Sequence, residues 1–387
     1  MENNVVTKQI NIQFKILYAI GIIFVVAGHC GNGGVSLMYD WFPPYAFHLG
    51  LFTFASGYFY KRDSEKNLGK YIVKKIKHLL VPIYLWNLFY GVVTTILRRI
   101  GFNFGVKMSL KSLLLLPITE GGHFILNLGG WFVIPLFMVQ IFNCFARKII
   151  TTIKIKLNEY MWFVLNLLLG MLSVSMIKQG YTTEWWLVVV RFLFFLPFYQ
   201  LGILYKSKLE KRDKLPGWLY FSLILIVQYI IVLYYKKIPT YVIMWGKNFN
   251  EISFMPFLEG FLGIAFWLRI SKMLEPLLKD NRIIMTIADN SFSIMINHLS
   301  GFLLFNTIIA IISKYTKYFS AFNFSSYKNN IYYFYKIGGI NHSLILYLIV
   351  GIAFPIIIQK ALTVLKNKFR TIKKQYANSK TMKKSID

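Results

Sequence analysis

Acidic side chains are scarce in this chain: 15 Asp and Glu stand against 44 Lys and Arg, a formal charge of +29 over 387 residues. Cysteine is scarcer still. Cys30 and Cys144 are the two, and they lack the paired spacing of a metal site. The apolar stretches do not alternate apolar with polar residues, which argues against the strands of a membrane barrel. No internal repeat is visible, so an inverted-repeat transporter has no support here. The first apolar stretch has no small-residue cleavage pattern, so it reads as a retained anchor and not as a secretory leader.

What is present is apolar length. Hydrophobic residues make up 56% of the chain and the mean hydropathy is +0.51. Spans are expected near residues 12–30, 41–60, 79–98, 130–146, 160–177, 185–205, 217–235, 252–270, 288–312 and 341–360. Several of these exceed the roughly 18 residues that a spanning helix needs. The expected fold is an all-α polytopic membrane protein with about ten transmembrane helices. The basic residues fall between the spans and mostly in alternate loops. With the N-terminus taken as cytoplasmic, 31 Lys and Arg lie on the inner side and 12 on the outer. That bias puts both termini in the cytoplasm and makes a nucleic-acid partner unnecessary to explain the charge. Residues 1–365 form the expected membrane domain, and 366–387 a basic cytoplasmic tail, partly disordered. On this topology Cys30 and Cys144 lie a membrane apart, so no disulfide joins them. The segment Ser109–Gly130 is too short to span and is expected to re-enter the membrane or lie on it. Ser313–Asn341, rich in Tyr and Phe, is expected to form an outer cap.

Ionisable groups inside such spans are costly and usually face a polar cavity. His29 ends the first stretch and His48 lies in the second, at similar expected depth. Histidine exchanges protons near neutral pH, which suits a general base, although an imidazole that only bonds a neighbouring helix fits equally well. Tyr18 precedes His29 by eleven residues, about three turns and within ~20° of the same face. Lys15 precedes it by fourteen, within ~40° of that face but ~21 Å away along the axis. It can serve the far end of one cavity or snorkel to the headgroups. Asn290, Ser291 and His298 belong to the most polar patch of any span. Arg191 and Glu259 are further intramembrane charges at matching depth and are expected to pair. His123 and His78 are expected to be solvated. A His–His metal site lacks a carboxylate or thiolate to complete it, so no metal is expected.

The motifs resemble those of membrane acyltransferase family 3, the integral-membrane O-acyltransferases of bacterial surface glycans. Ile22-Ile23-Phe24-Val25-Val26-Ala27-Gly28-His29 is similar to the family's first-span histidine motif. Phe47-His48 through Phe52 to Ser56-Gly57 resembles its second-span signature. Lys74 to Pro82 resembles the basic run before the third span, Gly130-Trp131-Phe132 the start of the fourth, and Asn290-Ser291 with His298 a motif near the end. The resemblance covers nearly the whole chain, in order. It implies ten helices in the bacterial plasma membrane, residues 1–365 as the acyltransferase-like domain, cytoplasmic acyl-CoA as donor, and an acceptor on the outer side. It implies His29 as the essential base, with His48 beside it. The family usually has Arg or Lys eleven residues before that histidine. Here the position is Tyr18, and Lys15 on nearly the same face is the candidate substitute. The chain ends soon after the tenth span, so the extracellular SGNH-type domain fused to some members is not expected, and separate glycan-assembly proteins are possible partners.

Two kinds of activity fit these residues. One is an enzyme that moves an acyl group, most simply acetyl from acetyl-CoA, to a hydroxyl of a surface or exported polysaccharide. In it His29 and His48 are catalytic, and Lys15, Tyr18, Arg191, Glu259, Asn290, Ser291 and His298 line the substrate path, with no bound cofactor. The other is an exporter of an acylated glycan or a small carboxylate. A sensing or uptake domain working with a separate enzyme is a weaker third.

Overall fold

The computed structural model of the chain describes residues 11–30 and 41–383, with side chains as far as residue 372. The Lys- and Arg-free loop Gly31–Asp40 and the last four residues lie outside the described part. Among the described residues there is no strand. One antiparallel bridge pairs Val242 with Lys247.

A chain in hydrocarbon must satisfy its backbone groups within each segment, so helices dominate. Helix α1 (Ile12–Gly28) starts where the Asn11 side chain accepts from the Phe14 N–H at 3.0 Å. Helix α2 (Pro44–Tyr58) starts at Pro43-Pro44, whose fixed φ suits a first turn. On the way to the third span, α3 (Asp63–Lys66) and α4 (Leu68–Lys75) carry much of the basic loop. Then come α5 (Val81–Arg99), the short α6 (Leu110–Leu114) and α7 (Leu116–Thr119), and a tight turn Ile125–Phe132 that leads into α8 (Val133–Thr152). Helices α9 (Glu159–Lys178), α10 (Glu184–Leu204), α11 (Gly217–Tyr235) and α12 (Met255–Leu278) follow. The chain closes with α13 (Arg282–Asp289), α14 (Ser291–Tyr315), α15 (Phe324–Asn329) and α16 (Ile345–Lys383).

Seven of these segments are long and apolar enough to cross a membrane: Leu68–Arg99, Ile125–Thr152, Glu159–Lys178, Glu184–Arg212, Gly217–Tyr235, Ser291–Tyr315 and Asn341–Ile372. Helices α1, α2 and α12 fall short of that description for different reasons. The first two have 17 and 15 described residues, and α12 carries Glu259, Arg269, Lys272 and Glu275. These three pack on one another, and α2 packs on α10, so neighbours and not lipid cover much of their surface. The fit of α2 on α10 is close. A Cβ on Gly57 would stand 1.9 Å from the Tyr199 carbonyl oxygen, and one on Gly202 would stand 2.0 Å from that of Phe54.

Helix α16 runs unbroken through residues 365 and 366 to Lys383. No Gly or Pro follows Pro355 in that helix to stop it. Cys30 and Cys144 are buried free thiols.

The bundle has two chemically distinct ends. At the basic end, Lys15 bonds Asp289 at 2.6 Å, Tyr58 donates to Glu210 at 2.7 Å, and Arg62 bonds Glu159 at 2.8 Å. At the other end, irregular segments close over the helices. The Ser109–Gly130 segment folds inward and buries Leu116, Pro117, Thr119 and Phe124. His123 is buried there and not solvated as expected, because this segment folds in against its neighbours; His78 is exposed. The cap between α14 and α16 is tied down by Asn306, which donates to the Tyr333 carbonyl (2.7 Å) and accepts from the Tyr347 hydroxyl (2.5 Å).

Candidate active site

Three histidines from three helices meet under this cap. His29 follows the last turn of α1, His48 lies in the second turn of α2, and His298 lies two turns into α14. The rings of His29 and His298 are 5.0 Å apart, and Tyr45 stands 6.1 Å from His29 and 5.4 Å from His48. His29 and His48 line a cavity of about 120 Å³ together with Tyr45, Trp131, Trp245 and Tyr332. Val25, Leu49, Phe52 and Met295 make its apolar wall. The ring of Tyr332, from the cap, stacks over His29 at 6.4 Å.

Each imidazole is held in the same way. Nδ1 of His29 contacts the Val25 carbonyl at 2.7 Å, Nδ1 of His48 contacts that of Pro44, and Nδ1 of His298 contacts those of Ile294 (3.1 Å) and Met295 (3.0 Å). A carbonyl oxygen can only accept, so in the neutral ring Nδ1 carries the hydrogen and Nε2 keeps its lone pair. Helical geometry brings this about, because a histidine side chain leans back toward the carbonyls of the preceding turn. The result is a set of three oriented imidazoles at one end of the bundle, each with Nδ1 turned to its own helix and the Nε2 lone pair not used by that contact. Nε2 of His298 is buried without a partner. Among the described residues no group of three or more His, Cys, Asp and Glu could hold a metal ion.

A family model described as an acyltransferase domain matches residues 11–360. The chain belongs to acyltransferase family 3. Neither the curated proteins nor the solved structures contain a match to it. The motifs of this acyltransferase divide between the two ends of the bundle. The first-span histidine, His48 and Phe52 of the second-span signature, and the Trp131-Phe132 pair line the cavity, and His298 adjoins it beside His29.

The other expected site residues lie elsewhere. Tyr18 is one ring removed from the cavity, stacked on the wall residue Phe52 at 5.8 Å. Lys15 is at the basic end in its pair with Asp289, and so are Asn290 and Ser291, which lie at the junction of α13 and α14. The Asn290 amide donates to the Thr286 carbonyl at 2.7 Å.

Arg191 and Glu259 do not form an ion pair, contrary to expectation: matching depth does not put them on facing surfaces. Arg191 is buried, with its guanidinium over Trp131 (5.1 Å). It donates to the Met244 carbonyl (Nε, 3.1 Å) and to the Glu120 carbonyl (2.7 Å). Trp131 and Met244 are cavity walls, so Arg191 ties two irregular wall segments to α10. Glu259 turns to α11, beside the Gln228 amide.

The sequence reading missed several residues. Tyr45 had a signal, since it lies three residues before His48 and so on the same helical face. Tyr332 and the segment Tyr241–Trp245 had none, because irregular chain brings them there. A buried cluster at the basic end was missed as well. Arg147 bonds Glu159 (2.7 and 3.0 Å) and Gln200 (3.1 Å), with its guanidinium over Trp162 at 5.0 Å.

Proposed function

We propose that this acyltransferase moves an acetyl group from cytoplasmic acetyl-CoA to a sugar hydroxyl of a surface or exported polysaccharide, in a bacterial plasma membrane crossed ten times with both termini inside. The observation that carries the proposal is the convergence of His29, His48 and His298 at one end of the bundle, with His29 and His48 lining one cavity and Nδ1 of each ring engaged. Nε2 of His29 takes the proton of the acceptor hydroxyl. The hydroxyl oxygen attacks the thioester carbonyl, the C–S bond breaks, and the CoA sulfur leaves as thiolate and takes up the proton that His29 holds. His48, which lines the same cavity, and His298, whose ring is 5.0 Å from that of His29, flank this base. The aromatic rings of Tyr45, Trp245 and Tyr332 give the acceptor sugar an apolar face at the cavity mouth.

CoA is a polyanion, and the basic segment Lys61–Lys77 suits its docking. Lys75 sits over the Tyr71 ring at 5.2 Å, so part of that segment is already ordered. The thioester arm would enter between α1 and α2, past Tyr18 and Phe52. Glycan-assembly proteins could present the acceptor.

The test is a mass comparison of surface glycans from cells with the intact protein, without it, and with His29→Ala. An acetyl increment present in the first alone supports the proposal. An acetylated glycan that persists inside the cell but fails to reach the surface would replace it with export.

A further inference from the structure

Helices α10 and α11 are consecutive, yet α11 packs chiefly on α12 and leaves a gap beside α10. The gap is a groove of about 360 Å³ at the basic end, walled by Phe54, Leu201, Phe261, Ile264, Ala265 and Leu268. Tyr205, Leu209, Arg212, Asp213 and Tyr220 form its mouth. This is a different place from the histidine cavity: no residue lines both. Its walls lie on α2, α10 and α12, and an unfilled gap between apolar side chains forfeits contacts on both sides.

The mouth is positive for a specific reason. Its acids are already engaged within the protein. Asp213 is held by Arg269 and accepts from the Tyr205 hydroxyl at 3.1 Å, and Glu210 accepts from the Tyr58 hydroxyl at 2.7 Å. Lys208, Lys211, Arg212 and Lys214 are exposed and have no ion-pair partner among the described residues. Arg269, over the Tyr220 ring at 4.1 Å, keeps a buried Nε without an acceptor. An apolar slot that ends in unpaired cations matches a molecule with a hydrocarbon tail and an anionic head.

We infer that the groove between α10, α11 and α12 is a binding site for one anionic phospholipid, with an acyl chain against Ala265 and the phosphate at Lys211 and Arg212. The site does not depend on the acyl-transfer reading. It holds α11 against the bundle, which the helix's own packing does weakly, since Ile224, Gln228 and Ile231 are its buried residues.

The purified full-length protein, reconstituted in phosphatidylcholine nanodiscs with and without phosphatidylglycerol, is released and weighed by native mass spectrometry. One retained phosphatidylglycerol is expected for the wild type. Ala265→Phe, which fills the slot, should lose it, with an unchanged melting temperature in phosphatidylcholine. The exposed pair Lys211→Glu/Arg212→Glu should lose the preference for phosphatidylglycerol, and this pair decides the matter if Ala265→Phe does not fold. The inference is overturned if the wild type retains no phospholipid, retains both lipids equally, or behaves like the variants. It is also overturned if acetyl-CoA displaces the lipid, which would give the cations to the donor. Glycan acetylation is a separate readout, so failure of the lipid site leaves the proposed reaction standing, and failure of the reaction leaves the lipid site.

Discussion

Of the imidazoles at the cavity end, His29 is half-buried while His48 and His298 are buried. His29 is therefore the most accessible of the three to an entering hydroxyl. His29→Ala should slow acyl transfer about 10²- to 10⁴-fold, the usual worth of a positioned general base. Single-turnover transfer to glycan checks this. His123 carries a different prediction. Burial lowers it from 6.5 to about 4, the Ser112 carbonyl acting the other way. Between those values the unfolded chain binds a proton that the folded protein does not, so stability falls as pH drops through 6.5 toward 4. The loss is at most about 3 kcal/mol. The melting temperature measured from pH 7 to pH 4 should show this decline, and His123→Phe should flatten part of it. Both histidines could be picked out from the sequence. Whether each meets a cavity or a buried loop could not, because that depends on which chain segments cover it.

Helices α2 and α10 approach so closely that Gly57→Leu must drive them apart. Overpacking of this kind costs roughly 1–3 kcal/mol, and thermal unfolding in detergent should register it. Where α8, α9 and α10 meet at the basic end, Glu159→Gln leaves Arg147 buried without its full partner. Breaking such a pair costs about 3–5 kcal/mol, whereas the double variant Arg147→Met/Glu159→Leu should cost less, since it removes the uncompensated charge. Helix positions and types were legible from apolar run length. The details of helix-to-helix contact were not. Gly57 lies in a recognisable motif, but nothing near it in sequence says that Tyr199 will lie against it. Arg191 shows the same limit. Its depth was legible, and its partners are two carbonyls from irregular segments in place of the expected carboxylate of Glu259.

For the molecule as a whole, the 31-to-12 distribution of basic residues leads to a prediction about orientation. Single cysteines at Lys70 and at Lys328 should be labelled by an impermeant thiol reagent from opposite sides of the membrane, Lys70→Cys from the cytoplasm and Lys328→Cys from outside. The buried native thiols Cys30 and Cys144 should stay silent. By itself the sequence determined the fold class, the bilayer environment, the family and the histidines worth testing, because run length, charge placement and local motifs are properties of contiguous chain. The tertiary structure alone decided that His29, His48 and His298 share one end, that Tyr332 covers His29, that Arg191 braces the walls, and that a groove opens beside α11. Those facts depend on packing between segments up to about three hundred residues apart, such as α1 on α14. Helix periodicity specifies which face a residue occupies but carries no information on what that face will meet.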